Sequence, residues 1–328
     1  MNLIICTSPL QVLIAEQIIS NSDEKFISIV FTMGNNEKQH YYSSKLIKIS
    51  TKCFLINIEK INFKIYSFLF LINLRFIIIN RIKKYNINKV FLASIDSIHI
   101  HTFLSALGKS NNFRIYTFDD GFANILITSH YYRKRKQNLI YTVVSKILGN
   151  CYSLDRIKSE LVVHYTIYPN MENITDKIYN ISLFNKSKLI EKEPYIENYN
   201  QEISFFLGQP LLLNNIIYSD FIKYLFNRYN INYYYPHPKE KKTNITDIKY
   251  VKGNLIFEDY LISLIKSNPS LKYKIYTFFS SAALNIYNIS DRVEIISIYS
   301  SKYIPKEYHK CFDIFVNLGI SVHEINNL

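Results

Sequence analysis

Several short runs in the first half of the chain are rich in Val, Ile and Phe and show no polar alternation: Leu3–Cys6, Ile27–Met33, Cys53–Ile58, Lys89–Ala93 and Arg114–Phe118. Such runs predict parallel strands covered on both faces. Between them, Leu10–Ile19, Asn62–Lys84 and Ile98–Leu107 carry apolar residues at helical spacing. Strands alternating with helices predict βαβ units and a doubly wound sheet. Thr7 or Ser8 is placed to cap the first helix, with Pro9 in its first turn. The segment 170–200 is polar and without clear period, and a linker is placed at 186–199. The alternation then resumes. Ser204–Leu207, Asn232–Tyr235, Lys274–Phe279 and Val293–Ile298 read as strands; Ile216–Phe226, Phe257–Lys266, a start at Ser281 and Lys306–Asn317 read as helices. The expectation is an α/β protein of GT-B type: two Rossmann-like, doubly wound domains, 1–185 and 200–328, facing a central cleft.

Length and composition are consistent with this plan. The 328 residues suit two domains, and 48% hydrophobic residues suffice for two cores. The net charge of +13 favours an anionic partner. Local basic clusters are Arg133-Lys134-Arg135-Lys136, beside Tyr131 and Tyr132, and Lys239, Lys241 and Lys242. The cysteines, Cys6, Cys53, Cys151 and Cys311, are far apart and form no CxxC, which predicts reduced thiols and no structural zinc. The chain start lacks a basic region and a cleavage motif, and the apolar stretch Ile61–Ile79 contains Lys64, Asn73 and Arg75. A cytoplasmic protein is expected, with that stretch a helix buried against a sheet or resting on a membrane.

Candidate chemistry falls just after predicted strands, where open α/β sheets bind ligands. Phe118-Asp119-Asp120-Gly121 pairs two carboxylates, one of which could accept a proton; a solvated turn is the plainer alternative. Tyr235-Pro236-His237-Pro238-Lys239 holds a His between prolines, suited to a phosphate or to general acid work. Ser280 and Ser281 open a helix, where N–H groups and hydroxyls can meet a phosphate. Thr7 and Ser8 occupy the first turn, and Gly208-Gln209 follows a second-half strand, its Gly permitting close backbone approach. No P-loop, dinucleotide fingerprint, HExxH, GxSxG or DxD cluster is present. Asp96, His99 and His101 are weak metal candidates, because the segment opens a helix.

Together, Asp119-Asp120-Gly121 and His237-Pro238 resemble the D/E-D/E-G and HP motifs of bacterial sialyltransferases, and Ser280-Ser281 resembles their Ser-Ser element. Their order and their distribution over the two halves also match. The start Ile5-Cys6-Thr7-Ser8-Pro9-Leu10-Gln11 and the turn Leu207-Gly208-Gln209-Pro210 look most like the lipooligosaccharide α-2,3-sialyltransferase family of Gram-negative mucosal bacteria. The resemblance implies an inverting, metal-independent transfer of sialic acid from CMP-sialic acid to a terminal galactose hydroxyl, with no cofactor. It implies a donor-binding second domain, in which His237, Ser280 and Ser281 assist the leaving phosphate, and Gly208, Gln209, Pro238 and Lys239 line the donor. Glu258 would hold the ribose hydroxyls. The base would be Asp119 or Asp120 in the acceptor-side first domain, with Asp220 as the alternative. A lipid-linked acceptor implies a peripheral place on the inner membrane, through Tyr131–Lys136 and anionic lipid; a homodimer is left open. The alternatives are a capsule polysialyltransferase or another nucleotide-sugar enzyme and, in a different class, a nucleic-acid-binding protein. The scattered Lys and the lack of a recognised module weigh against the last.

Overall fold

Asn2–Cys6 is buried at every position and forms β1, the middle strand of the first sheet. The computed structural model describes residues 1–32, 37–58, 64–108, 112–133, 139–184, 201–209, 215–238, 240 and 245–325. They divide into two units, Met1–Leu183 and Phe184–Leu328. The linker expected at 186–199 lies outside the described residues.

In the first unit, β1 pairs in parallel with β2 (Phe26–Thr32) and with β4 (Lys89–Leu92). β3 (Lys52–Asn57) flanks β2, while β5 (Arg114–Phe118), β6 (Leu161–Thr166) and β7 (Ile178–Asn180) extend the sheet beyond β4. The order β3-β2-β1-β4-β5-β6-β7 reverses direction between β1 and β4, which makes that gap the topological switch point. The helices are α1 (Pro9–Ser20), α2 (Glu37–Ile49), α3 (Lys64–Ile77, continued by a π-helical turn Ile78–Ile82), α4 (Ile98–Leu107), α5 (Phe122–Ile125), α6 (Leu139–Ile147) and α7 (Leu154–Glu160).

The second unit is built the same way. Its parallel strands are β8 (Gln201–Leu207), β9 (Tyr233–Tyr235), β10 (Leu271–Thr277), β11 (Val293–Tyr299) and β12 (Ser321–Glu324), in the order β12-β11-β10-β8-β9. The switch point lies between β8 and β10. The helices are α8 (Asn215–Tyr229), α9 (Phe257–Ser267), α10 (Ser281–Asn285) and α11 (His309–Asn317), the last after a 3₁₀ turn Lys306–Tyr308. With no Trp, the core relies on stacked rings such as Phe221 against Phe278 and Tyr303, at 5.6 and 4.4 Å.

The two parallel sheets give the expected fold class. β6 and α6 were not anticipated although both carry apolar residues, nor were α2 and β7, which bury little. α2 buries only Gln39, Tyr42, Ser43 and Leu46, and β7 is exposed throughout. β7 places a strand inside the polar segment 170–200, where backbone pairing with β6 holds Ile178 and Tyr179 although both side chains are exposed. α3 is amphipathic rather than wholly buried: Leu71, Leu74 and Ile78 face the core, while Leu69, Ile72 and Phe76 are exposed. Among the described residues no helix is long and apolar enough to cross a membrane.

Candidate functional site

In the first unit the carboxyl ends of β1, β4 and β5 meet in one hydrogen-bonded cluster. Asp119 and Asp120 follow β5. Successive side chains on extended backbone point to opposite sides, and the two carboxylates have different fates. Asp119 is fully buried. Its Oδ2 accepts from the Ile167 N–H at 2.6 Å and the Thr166 hydroxyl at 2.9 Å, and its Oδ1 lies 2.9 Å from His164 Nε2. His164 Nδ1 in turn lies 2.7 Å from the Thr117 hydroxyl. With the ring proton on Nε2, every one of these groups is satisfied. Asp119 thus ties β5 to β6.

Asp120 points to the switch point and is half-buried. Its Oδ1 accepts from Gln11 Nε2 at 2.6 Å, and its Oδ2 from the hydroxyls of Ser94 at 2.9 Å and Tyr131 at 3.0 Å. Burial, and then the neighbouring charges of Asp120 and Asp96, push the Tyr131 phenol well above its ordinary value, so it stays a donor. Gly121 adopts φ 65°, a left-handed turn that releases the chain into α5, and the Asp120 N–H is held by Asn124 Oδ1 at 2.6 Å. Thr7 joins the cluster through Ser94 Oγ at 3.0 Å and Gln11 Oε1 at 3.1 Å. Ser8 has a different task, capping α1 by accepting from the Gln11 N–H.

Ser94 takes φ 51°, an uncommon left-handed backbone for a residue with a side chain, and it bonds Thr7, Gln11 and Asp120. Strain of this kind concentrates at functional sites. The sequence reading missed Ser94, Gln11 and Tyr131 as partners of Asp120. Position just after β4 was the available signal for Ser94; its backbone conformation left none.

Tyr131 also corrects an expectation. It was placed with the basic run as a membrane-facing ring, yet it is 2% exposed. Its hydroxyl is drawn inward by Asp120, and that of Tyr132 by the Asn124 carbonyl. Of the basic run, Arg133 is exposed and Lys134–Lys136 lie outside the described residues.

In the second unit the candidates sit at the ends of β8, β9 and β10. His237 is half-buried and Pro238 exposed, while Lys239 lies outside the described residues. Gln209 is buried, and its Oε1 accepts the Phe279 N–H at 2.8 Å, pinning the β8 turn to the residue before Ser280. Ser280 caps α10 by accepting from the Ala282 N–H, and its own N–H donates to Thr277 Oγ1. Ser281, half-buried, is the first helical residue. α10 spans only five residues, so hydroxyls and terminal N–H groups outweigh any macrodipole. Glu258 is buried in the first turn of α9 and accepts from Asn285 Nδ2 at 2.7 Å. The small size of Gly208 serves the protein itself. A methyl group there would meet the Tyr234 hydroxyl, and Glu240 Oε2 at 2.5 Å.

Asp220, the alternative base, is exposed on α8. Asp96 lies 3.4 Å from His130 Nε2, and His101 bonds the Ile95 carbonyl and Tyr141, so both have structural partners. Among the described residues no group of three His, Cys, Asp or Glu is arranged to hold a metal ion. A cavity of about 240 Å³ opens between β3 and α3, lined by Phe54, Ile56, Phe70, Ile77 and Arg81 among others. Asn57 and Asn73 add polar atoms to its lining, and it shares no residue with the candidates of either unit.

A family model described as Glycosyltransferase family 52 matches residues 23–301. The chain is 35% identical over 325 residues to an N-acetyllactosaminide alpha-2,3-sialyltransferase of Haemophilus influenzae, covering 99% of both chains. It is 32% identical over 329 residues to a CMP-N-acetylneuraminate:beta-galactoside alpha-2,3-sialyltransferase of Pasteurella multocida, again covering 99% of both. Among solved structures, the GT-B domain of a Photobacterium damselae sialyltransferase aligns with a TM-score of 0.51 at 13% identity, over 99% of this chain and 100% of that one. That last likeness speaks to the fold alone.

Proposed function

The chain belongs to glycosyltransferase family 52, and from that premise we propose that it moves sialic acid from CMP-sialic acid to a galactose-terminated surface glycan such as a lipooligosaccharide. The observation that carries this is the end-to-end relation to two α-2,3-sialyltransferases at 35% and 32% identity. The geometry agrees with it. Asp120 is presented among hydroxyls at a switch point, and in the second unit His237 follows the carboxyl end of β9 while Ser280 and Ser281 follow that of β10. In the reaction, the acceptor hydroxyl oxygen forms a bond to the anomeric carbon as the bond to the CMP phosphate oxygen breaks. Asp120 takes the hydroxyl proton, and His237 supplies a proton or hydrogen bond to the leaving phosphate. Direct displacement inverts the anomeric centre. Asp120 is preferred to Asp119 because each accepts three bonds but Asp119 is fully buried, whereas Asp120 is half-buried and open to an acceptor. Incubation with CMP-sialic acid and a panel of galactosides tests the activity. Release of CMP without sialylated product from any galactoside would overturn it.

No cofactor enters this scheme. The donor carries one phosphate, with no diphosphate for a cation to bridge. EDTA is therefore expected to leave turnover unchanged; a loss on chelation that Mg²⁺ or Mn²⁺ restores would contradict this.

A lipid-linked acceptor places the enzyme on the inner membrane surface. Support comes from α6, which exposes Leu139, Val143 and Ile147 on one face at four-residue spacing, with Lys146 and Arg133 also exposed. Arg75 on α3 bonds the Leu148 carbonyl at the end of α6, and α3 adds the exposed Leu69, Ile72 and Phe76. An apolar stripe edged by cations suits an anionic interface. Sedimentation with phosphatidylglycerol vesicles should retain the protein at low salt and release part of it at high salt. Val143→Asp with Ile147→Asp should abolish retention. A variant that binds as well as the parent would remove α6 from this role.

A further inference from the structure

The turn after β9 reads Pro236-His237-Pro238, so His237 holds the one backbone N–H among these three residues. That N–H donates to Glu240 Oε2 at 3.1 Å. The Glu240 N–H in turn donates to the His237 carbonyl at 3.0 Å, closing a tight loop. The other carboxylate oxygen, Oε1, accepts from the Tyr234 hydroxyl at 2.5 Å. The Tyr234 hydroxyl lies 2.8 Å from that of Tyr218 on α8, which receives the Gln209 N–H at 3.5 Å. β8 and β9 are in register from Phe205 opposite Tyr233 to Leu207 opposite Tyr235, and the Gly208 N–H extends the ladder to the Tyr235 carbonyl at 2.9 Å. Only a glycine at 208 leaves room for the Glu240 carboxylate and the Tyr234 hydroxyl above it.

We propose that Glu240 is a positioning residue, a half-buried carboxylate that fixes the backbone of His237 and locks the His237 turn onto the Gly208-Gln209 turn. Its catalytic consequence rests on His237 being the group that assists the leaving phosphate. Two prolines restrict the turn but leave its orientation to the sheet undetermined; the carboxylate supplies that orientation. Burial raises the Glu240 carboxyl above the usual carboxylate range, and the bonds from Tyr234 and the His237 N–H oppose that rise. A group held in that balance responds to loss of its charge, which separates its role from simple space filling.

The test combines turnover with a direct view of the imidazole. Glu240→Ala should lower kcat and kcat/KM together by about 10- to 100-fold, the scale of a misplaced catalytic group. Glu240→Gln, which keeps the shape and one acceptor oxygen, should recover part of that loss. The double variant with His237→Ala should be no slower than His237→Ala alone, because Glu240 acts through His237. In ¹⁵N-histidine spectra, the His237 ring signals should shift in Glu240→Gln while those of buried His164 stay in place. Should Glu240→Ala fail to fold, the glutamine variant carries the same cycle. Parent-like turnover together with an unmoved His237 signal in the glutamine variant overturns the positioning role, as does a loss that adds in full to that of His237→Ala. If His237→Ala keeps its turnover while Glu240→Gln still shifts the His237 signal, the catalytic role of His237 falls and the positioning by Glu240 stands.

Discussion

His237→Ala is expected to lower kcat for sialyl transfer by about 10²- to 10⁴-fold, the usual contribution of general acid catalysis. The residue follows β9 at the carboxyl edge of the second sheet, half-buried, with its backbone held by Glu240 and its neighbours fixed by proline rings. Its side chain is half-buried and stands in a turn, outside any strand and outside the fully buried core. Thermal melting should therefore move by no more than a few degrees, consistent with a surface-turn change of under about 1 kcal/mol. Steady-state rates with CMP-sialic acid, taken beside the melting curve, separate a chemical loss from a structural one. A folded variant that turns over like the parent would remove His237 from the reaction.

The two carboxylates of the Asp-Asp-Gly turn should fail in different ways. Asp120→Asn keeps the shape of the cluster formed with Gln11, Ser94 and Tyr131 but removes the proton acceptor, and kcat should fall by about 10²- to 10⁴-fold with melting nearly unchanged. Asp119→Ala strips a fully buried site of the acceptor that satisfies His164, Thr166 and the Ile167 N–H. Leaving those donors unpaired in the core should cost several kcal/mol of stability, at about 1–3 kcal/mol for each unsatisfied buried group. Melting and turnover for both variants decide the matter. If Asp120→Asn stays active, the base lies elsewhere, and Asp220, exposed on α8, is the next to replace.

The chain itself determined the fold class. Strands such as Leu3–Cys6 and Arg114–Phe118 are apolar because a parallel sheet buries both faces, and that signature survives in a single sequence. It also marked where chemistry would gather, since short polar motifs stand out against such runs at strand ends. Tertiary structure decided what each polar residue does there. Asp119 and Asp120 are chemically identical and adjacent; one is a buried tie between strands and the other faces the switch point, because β6 supplies His164 and Thr166 on one side while β1 and β4 bring Thr7, Gln11 and Ser94 to the other. Those partners lie 26 to 109 positions from Asp120 in the case of Ser94 and Gln11, separations no local pattern encodes. The same holds for Tyr131, which reads as an interfacial ring beside a basic run until Asp120 draws its hydroxyl inward. It holds for Gly208, whose missing side chain makes room for Tyr234 and Glu240. Hydrophobic periodicity is local and reports elements; hydrogen-bond partnership across strands is set by register and strand order, which exist only once the sheet has formed.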